Sequence, residues 1–453
     1  MIDDPLYHVN KSDVDELVRL ATFGDASERP RCQWLLWELA QYEGVRPWSI
    51  HDLYMARGQG TAPTTFTVPA MNLRALTYDV ARAVFRAALK LKVGAMIFEI
   101  ARSEMTYTFQ RPAEYVSAVL GAAIKEGYRG PVFIQGDHFQ VNGKKYAAGG
   151  AEREKELKAV RDLTAEAIAA GFYNIDIDTS TLVDLSQPTV AEQQRTNFER
   201  CAEFTRFIRG IQPQNLVVSV GGEIGEVGKK NSTEEELRAF TDGYNKAVQG
   251  VTGISKISIQ TGTSHGGVVL PDGKLADVAI DFDTLAHLSK VAREEYHMAG
   301  AVQHGASTLP AEAFGKFAEC SACEVHLATE FQNMMFESPS FPADLKREIY
   351  GWLDQHASDE RTPGETDEQF YYKTRKKALG PFKQRWWDMQ PAIKGDIASA
   401  LQAKFEFLFQ RLNVVNTYDM VVQTVKTTEM HKPEPAGAAS AVAVKDDVKG
   451  LAD

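Results

Sequence analysis

Histidine and carboxylate side chains gather at the ends of short apolar segments in the middle of this 453-residue sequence. Asp137 and His138 follow one such segment, and His265, His304 and His326 follow or close three later ones. The chain has ten histidines, whereas the segment ends offer only roughly 20 positions, where chance would place fewer than one. Neutral imidazoles bind divalent cations, and a neighbouring carboxylate is suited to proton transfer. These residue types therefore predict a metal centre beside a general acid or base.

Three imidazoles would leave one position of the cation open for a substrate oxygen, as in catalytic Zn²⁺ sites. His138, His265 and His304 are the predicted ligands, and Zn²⁺ or another divalent cation is the expected cofactor. Asp178 and Glu223 follow two further segments. Their carboxylates are suited to a second divalent or a monovalent cation, or to orienting the histidines.

Small residues follow two of the histidines, in HisGlyGly (265–267) and HisGlyAlaSer (304–307). Such turns expose backbone N–H groups, which together with the hydroxyl groups of Ser307 and Thr329 are suited to binding a phosphate. Taken singly, an Asp-His pair or a His-Gly turn is usually structural. The grouping of several such motifs at segment ends is what indicates a site.

The segments that carry these residues alternate with stretches of helical period, among them residues 78–91, 152–170, 191–208 and 234–248. Strands that alternate with helices form parallel sheets, and eight such units are typical of a (β/α)8 TIM barrel, whose catalytic residues follow the carboxyl ends of the strands. A doubly wound open sheet is the alternative, but the first strand is not followed by a Gly-rich phosphate turn. The predicted strands are residues 66–71, 95–100, 131–135, 174–177, 216–220, 256–260, 299–303 and 323–327.

Four regions follow from this pattern. Residues 1–60 are predicted to be a helical extension, with Trp34, Leu35, Leu36 and Leu39 on its apolar side. Residues 61–335 would form the barrel, and residues 336–430 a C-terminal helical lobe that completes it with a last helix at 393–412. Residues 431–453 are rich in Pro, Ala and Gly, which predicts a disordered tail.

Composition and charge indicate which partners and which cellular compartment to expect. The net charge is −11 and 25% of residues are charged, but the signs are mixed, so neither a nucleic acid nor a membrane surface is an expected partner. Four cysteines in a chain of this length are typical of a reducing compartment. The N-terminus does not resemble a signal peptide. A cytoplasmic enzyme for a small molecule is expected, and the extension and lobe favour a homo-oligomer.

Several motifs resemble those of the class II, metal-dependent ketose-bisphosphate aldolases, which include fructose-1,6-bisphosphate and tagatose-1,6-bisphosphate aldolases. The resemblance extends over about residues 65–330. Its motifs are ValProAlaMetAsn (68–72), GlyAspHis (136–138), AspIleAspThrSer (176–180), GluIleGly (223–225), GlyThrSerHisGly (262–266) and GlnHisGlyAlaSer (303–307).

The resemblance implies a role for each matching residue. Asp137 would transfer protons, His138, His265 and His304 would bind the metal, and Asp178 and Glu223 would contribute to a second cation site. The first phosphate of the substrate would be bound by Gly266, Gly305, Ser307 and Thr329. The implied reaction is reversible cleavage of a ketose bisphosphate, fructose 1,6-bisphosphate first, to dihydroxyacetone phosphate and an aldehyde.

The chain departs from the family at several places, one of them Thr308, which follows HisGlyAlaSer (304–307) where the family usually has Gly or Asp. His326 occupies the position of an Asn that contacts the dihydroxyacetone phosphate part, so it is predicted to lie beside the substrate. The family's loop Glu, a proton shuttle, would have to be Glu226 or Glu234. The family's second phosphate is often bound by an Arg of a neighbouring subunit, for which Arg385 is the nearest match.

Two other functions remain open from the sequence. One is the non-catalytic accessory subunit of a tagatose-bisphosphate aldolase, because ArgSerGlu (102–104) and GlyAspHis (136–138) are similar to motifs of those subunits. The other is a barrel metallohydrolase in which Glu223 and a metal-activated water act together. The complete set of histidines favours the aldolase.

Overall fold

The computed structural model describes residues 13–225, 230–262, 280–307, 309–436, 448 and 450–452. Its N-terminal region packs on the outside and beneath one end of a barrel. Leu36 and Leu39 of the predicted apolar side are buried, and Trp34 is half-buried. The elements of this region are α1 (Val14–Phe23), α2 (Glu28–Tyr42), β1 (Val45–Trp48) and α3 (His51–Gly58).

Eight parallel strands close into the predicted (β/α)8 barrel, since the last strand pairs with the first. All eight predicted strands are present, shifted by up to three residues at most ends, whereas β4 extends five residues beyond its predicted end. Nearly every strand residue is buried, as expected for a parallel sheet covered by helices. The strands are β2 (Val68–Asn72), β3 (Ile97–Ala101), β4 (Gly130–Gln140), β5 (Asn174–Asp178), β6 (Ser219–Glu223), β7 (Lys256–Ile259), β8 (Ala301–Gln303) and β9 (Glu324–Leu327).

Helices follow the strands on the outside of the barrel, and the four predicted from periodicity are confirmed as α4 (Thr77–Leu91), α8 (Gly150–Ala170), α9 (Val190–Ile211) and α10 (Glu234–Ala247). Helix α10 begins at a capping box, in which Thr233 and Glu236 bond to each other's backbone N–H groups. The barrel helices are α4 (Thr77–Leu91), α5 (Arg102–Tyr107), α6 (Pro112–Glu126), α7 (Gly143–Ala147), α8 (Gly150–Ala170), α9 (Val190–Ile211), α10 (Glu234–Ala247), α11 (Phe282–Glu294), α12 (Phe314–Glu319) and α13 (Thr329–Phe336).

The chain then forms a lobe and returns to the barrel. The predicted last helix is present and packs against α4 and α13, with the rings of Phe331 and Phe405 4.9 Å apart. It therefore completes the ring of helices. These elements are α14 (Ala343–His356), α15 (Asp367–Thr374), α16 (Lys383–Trp387), α17 (Pro391–Arg411) and α18 (Tyr418–Thr424).

Strand β1 is a feature that the helical prediction for residues 1–60 missed, because it is short and contains Pro47. It pairs with the first residues of β4, outside the closed barrel. Helix α3, which follows it, lies under the amino ends of the strands. There the Arg57 guanidinium donates to the carbonyls of Phe66 and Ala299, and the Tyr54 hydroxyl donates to Glu324. Residues 45–58 thus close this end of the barrel.

The start of the predicted tail lies against α2. The Trp37 indole donates to the Met430 carbonyl at 2.6 Å, and the Lys432 ammonium lies 3.5 Å from the centre of the Trp37 ring. Residues 437–447, 449 and 453 of that tail lie outside the described residues. Among the helices that the structure describes, none has the length and apolar composition needed to cross a membrane.

Candidate active site

An irregularity in β4 positions the first two candidate residues. Gly136 pairs with Ile175 of β5 but Phe139 pairs with Ile177, so β4 has one extra residue here. His138 has a φ of +40°, a conformation that residues with a side chain rarely adopt. A Cβ on Gly136 would lie 2.4 Å from the Phe139 ring, so this turn requires glycine. Bulges of this kind redirect side chains beside functional sites.

The imidazoles of His138 and His304 meet at the carboxyl ends of the strands, with their ring centres 4.3 Å apart. Glu223 joins them, and one ligand atom from each of the three residues lies within 4.8 Å of the others. His138 Nδ1 lies 3.1 Å from Asp178 Oδ2, an arrangement that orients the ring. Two imidazoles and a carboxylate are donors that divalent cations use. The residues present therefore fit the predicted cation.

Asp137 lies next to this group. Its Oδ1 atom is 3.9 Å from Nε2 of His138 and 3.9 Å from Nε2 of His304. The same atom is 3.1 Å from His326 Nδ1, and Oδ2 accepts a hydrogen bond from Asn72 Nδ2 at 2.9 Å. Both oxygens of this carboxylate are thus held in defined positions.

Charge sets the protonation of Asp137. Burial raises the pKa of this carboxyl, but the positive charges of His138, His326 and His304 outweigh burial and lower the pKa well below its usual range. Burial lowers the pKa of His138, whereas the negative charge of Asp137 and its contact with Asp178 raise that pKa well above its usual value. Asp137 is therefore a carboxylate at neutral pH, the form that accepts a proton.

A second group of buried polar residues lies two residues back along the strands, on the same inward face. Side chains i and i+2 of a strand share a face, so Gln135 lies beneath Asp137, and Asp176 beneath Asp178. We call Asp137, His138, Asp178, Glu223 and His304 the mouth layer. The inner layer consists of Glu99, Gln135, Asp176, Lys256 and Glu324, whose side chains are almost fully buried.

His326 joins the two layers. Its Nδ1 faces Asp137, and its Nε2 lies 2.7 Å from Glu324 Oε1. Lys256 Nζ in turn contacts Glu324 Oε1 at 2.5 Å, Asp176 at 2.9 Å and Gln135 Oε1 at 2.8 Å. Both ring nitrogens of His326 therefore face carboxylates of the protein itself.

Three of the residues predicted to bind phosphate, Gly305, Ser307 and Thr329, lie around the start of α13. Gly305 has a φ of +68°, and Ser307 Oγ accepts the N–H of Ala328 at 2.6 Å. Thr329 Oγ1 is 3.4 Å from the guanidinium of Arg74, which also contacts Glu104 at 2.5 Å. The loops after β8 and β9 thus meet beside a buried arginine.

Of the other predicted residues, Arg385 and Glu234 are not brought to this group, and three are not among those that the structure describes. His265, Gly266 and Glu226 lie outside the described residues. Arg385 is exposed on α16 and forms an ion pair with Glu348 of the lobe at 2.6 Å. Glu234, the other candidate for the loop shuttle, contacts Arg238 and His287.

Neither Asn72, Arg74 and Glu104 nor the inner layer was predicted as part of the site, and Glu104 and Asp176 were noted only within the motifs 102–104 and 176–180. Asn72 was noted only as part of a motif, and its bond to Asp137 depends on the neighbouring strand. Lys256 was open to detection, because a lysine within the apolar run LysIleSerIle (256–259) requires a buried partner.

Comparison with known proteins gives a family for most of the chain. The family model described as "Fructose-bisphosphate aldolase class-II" matches residues 60–385. No curated protein matches the sequence.

Solved structures share the fold at low identity. A fructuronate-tagaturonate epimerase from Cohnella laeviribosi superposes with a TM-score of 0.54 at 13% identity, over 77% of this chain and 81% of that one. A probable tagatose 6 phosphate kinase from Sinorhizobium meliloti gives 0.52 at 14% identity, over 79% and 98%. A fructose-bisphosphate aldolase from Campylobacter jejuni gives 0.48 at 16% identity, over 82% and 97%.

Proposed function

The chain belongs to the class-II fructose-bisphosphate aldolase family, and on that premise we propose that it catalyses reversible, metal-dependent aldol cleavage of a ketose phosphate. The observation that carries the proposal is the meeting of His138, His304 and Glu223 beside the carboxylate of Asp137. Fructose 1,6-bisphosphate is the first substrate to test, and dihydroxyacetone phosphate and an aldehyde are the proposed products.

His138 and His304, together with the predicted ligand His265, would hold a divalent cation such as Zn²⁺. Glu223 supplies a further carboxylate, and Asp178 orients His138 from behind. When bound, the cation would act as a Lewis acid on the substrate carbonyl and stabilise the negative charge that develops there.

Asp137 is proposed to take the proton from the substrate hydroxyl next to the bond that breaks. The electrons of the broken carbon–carbon bond then pass to the carbon beside the carbonyl, which leaves an aldehyde and an enediolate. Return of a proton to that carbon gives dihydroxyacetone phosphate. Asp137 is suited to this step because its Oδ1 faces both imidazoles from 3.9 Å, beside the place where the substrate oxygens would bind.

We assign the first phosphate to the turn at Gly305, to Ser307 and Thr329, and to the predicted residue Gly266. The support is that the Ser307 loop lies against the start of α13, where backbone N–H groups favour an anion. Arg385 would reach a second phosphate only from a neighbouring subunit, so this role requires the predicted homo-oligomer.

The test combines metal analysis with an assay of the purified full chain. Metal content is measured by mass spectrometry, and cleavage of fructose 1,6-bisphosphate and tagatose 1,6-bisphosphate is followed through dihydroxyacetone phosphate. We expect one or more divalent ions per chain and cleavage that EDTA abolishes and added Zn²⁺ restores.

Two results would contradict the proposal in different ways. A protein that binds no metal would favour the accessory subunit. A metal-loaded protein that cleaves neither bisphosphate is tested for phosphate release, which would indicate a hydrolase. It is also tested for epimerisation of a uronate, since an epimerase of such sugars shares the fold.

A further inference from the structure

Lys256 is a charged residue inside the barrel that the proposed reaction does not use. It begins β7, and 1% of its side chain is exposed. Its ammonium contacts Asp176, Glu324 and Gln135 at 2.5–3.0 Å, so each of its three N–H groups has an acceptor available.

Glu324 lies between Lys256 and His326 in this series of contacts, and several residues donate hydrogen bonds to its carboxylate. Its Oε1 atom accepts hydrogen bonds from Lys256 and from Gln135 Nε2 at 2.8 Å, and its Oε2 accepts one from the Tyr54 hydroxyl. Lys256 and Tyr54 thus fix this carboxylate from β7 and from α3. A carboxylate fixed in this way offers His326 Nε2 a single position, 2.7 Å away.

His326 connects Glu324 to Asp137. Its ring is 5% exposed, and its other nitrogen lies 3.1 Å from Asp137 Oδ1. Because both ring nitrogens face carboxylate oxygens, Glu324 holds the ring on one side and Asp137 holds it on the other, where Glu99 Oε1 also lies 3.2 Å from Nδ1. Movement of Glu324 would therefore displace the carboxylate that transfers the proton.

Stability alone gives a weak reason for this arrangement. A buried ion pair is often no more stable than apolar side chains of the same volume, because both charges lose their hydration. Apolar layers are what usually fill the interior of such barrels. The row of buried charged groups ends at His326, whose Nδ1 lies 3.1 Å from Asp137 Oδ1. Such an arrangement is what precise placement of a reactive group requires.

We propose that Lys256 is a positioning residue, which acts through Glu324 and His326 to hold Asp137 in its reactive orientation. The proposal rests on the assignment of proton transfer to Asp137. It also gives His326 a role within the protein, in place of the substrate contact predicted from the sequence.

The experiment is a double-mutant cycle on kcat with Glu324→Gln, Lys256→Met and the combined variant, all loaded with metal. Glutamine keeps the volume of Glu324 but not its charge, and the combined variant removes one charge of each sign, so both are expected to fold. We expect Glu324→Gln to lower kcat about 10-fold, since misplacement by about 1 Å costs up to about 100-fold. KM and metal content should stay within about 2-fold of the wild type, because ligands and phosphate contacts are unchanged.

The decisive comparison is the effect of Lys256→Met in the two backgrounds. If Lys256 acts through Glu324, the further loss of kcat should be under about 2-fold when Glu324 is already Gln. An equal loss in both backgrounds, or unchanged kcat in Glu324→Gln, would overturn the proposal. Should Lys256→Met alone not fold, the combined variant is compared with Glu324→Gln, and a further loss above about 5-fold counts against it.

A matched control is the buried ion pair of Arg102 and Glu156, whose atoms lie 2.6 Å apart with side chains at most 2% exposed. Glu156→Gln should lower the melting temperature and leave kcat unchanged. Crystal structures of the wild type and Glu324→Gln give a readout that does not need activity. An Asp137 carboxylate in the same place in both would refute the positioning role, whereas an inactive wild type with a displaced carboxylate in the variant would refute only the proposed reaction.

Discussion

The mouth layer and the inner layer contain similar numbers of buried acids, but they neutralise them differently. In the inner layer, Asp176 and Glu324 share the ammonium of Lys256. In the mouth layer, Asp137 contacts imidazole and amide groups, and Asp178 contacts His138, Gln140 and Ser180. One layer therefore has a permanent cation of its own, whereas the other presents groups that a metal ion can bind.

The two layers are therefore suited to different tasks, although they lie only two residues apart along the strands. A lysine cannot leave, so the inner layer keeps its cation whether or not a metal ion is bound at the mouth layer. Imidazoles and carboxylates can exchange a bound ion or a proton, so the mouth layer is suited to chemistry. The prediction is that changes in the mouth layer abolish activity, whereas changes in the inner layer affect stability and reduce activity.

The largest effect is expected from His304→Ala. Loss of this imidazole removes a ligand of the proposed cation, so bound metal should be lost and cleavage should fall on the order of 10⁴-fold. Metal analysis and the cleavage assay measure both. His287→Ala, at an exposed histidine that pairs with Glu234, is the control and should match the wild type. A fully active, metal-loaded His304→Ala would refute the site.

Asp137→Asn should separate proton transfer from metal binding. Asparagine keeps the shape and loses the basic oxygen, so cleavage should fall on the order of 10³-fold while metal content stays unchanged. The same two measurements apply. Loss of metal together with activity would mean that Asp137 is a ligand rather than the base.

In the inner layer, Lys256→Met should act mainly on folding. Removal of the ammonium leaves Asp176 and Glu324 without their cation, which typically costs about 3–5 kcal/mol of unfolding free energy. Urea unfolding with and without metal gives the value. Glu156→Gln is the control for loss of a buried pair elsewhere, and an unchanged midpoint for Lys256→Met would show that the inner layer does not depend on its lysine.

The smallest effect is expected on the stability of the fold at acidic pH. Burial raises the pKa of Glu324, but the charge of Lys256 and the contacts with His326 outweigh burial and lower the pKa from 4.5 to about 2. A depressed carboxyl pKa stabilises the fold above about pH 4.5, and this contribution is lost as the pH falls toward 2. As the pH is lowered from 6 to 3, the unfolding free energy of Glu324→Gln should therefore fall less steeply than that of the wild type. Parallel curves for the two proteins would contradict this.

The sequence predicted the barrel and the neighbourhood of Asp137, His138 and His304 because the carboxyl ends of parallel barrel strands meet at one rim. It did not predict the inner layer. The lysine within the apolar run 256–259 indicates a buried partner, but only the strand register shows that Asp176 and Glu324 are its partners. It also missed the extra residue in β4, because a bulge depends on how two strands pair rather than on one segment. Arg385 was selected by likeness of motif, and its position on the lobe follows from packing that no motif contains.

Strand β1 and helix α3 determine which residues must be kept if the barrel is produced as an independent unit. A chain shortened to start at residue 61 would lose the partner of Gly130–Phe133 and the hydroxyl that Tyr54 donates to Glu324. The exposed strand edge would be a template for aggregation, and water would enter from the end opposite the candidate active site. In gene design or domain transplantation, residues 45–58 therefore belong with the barrel.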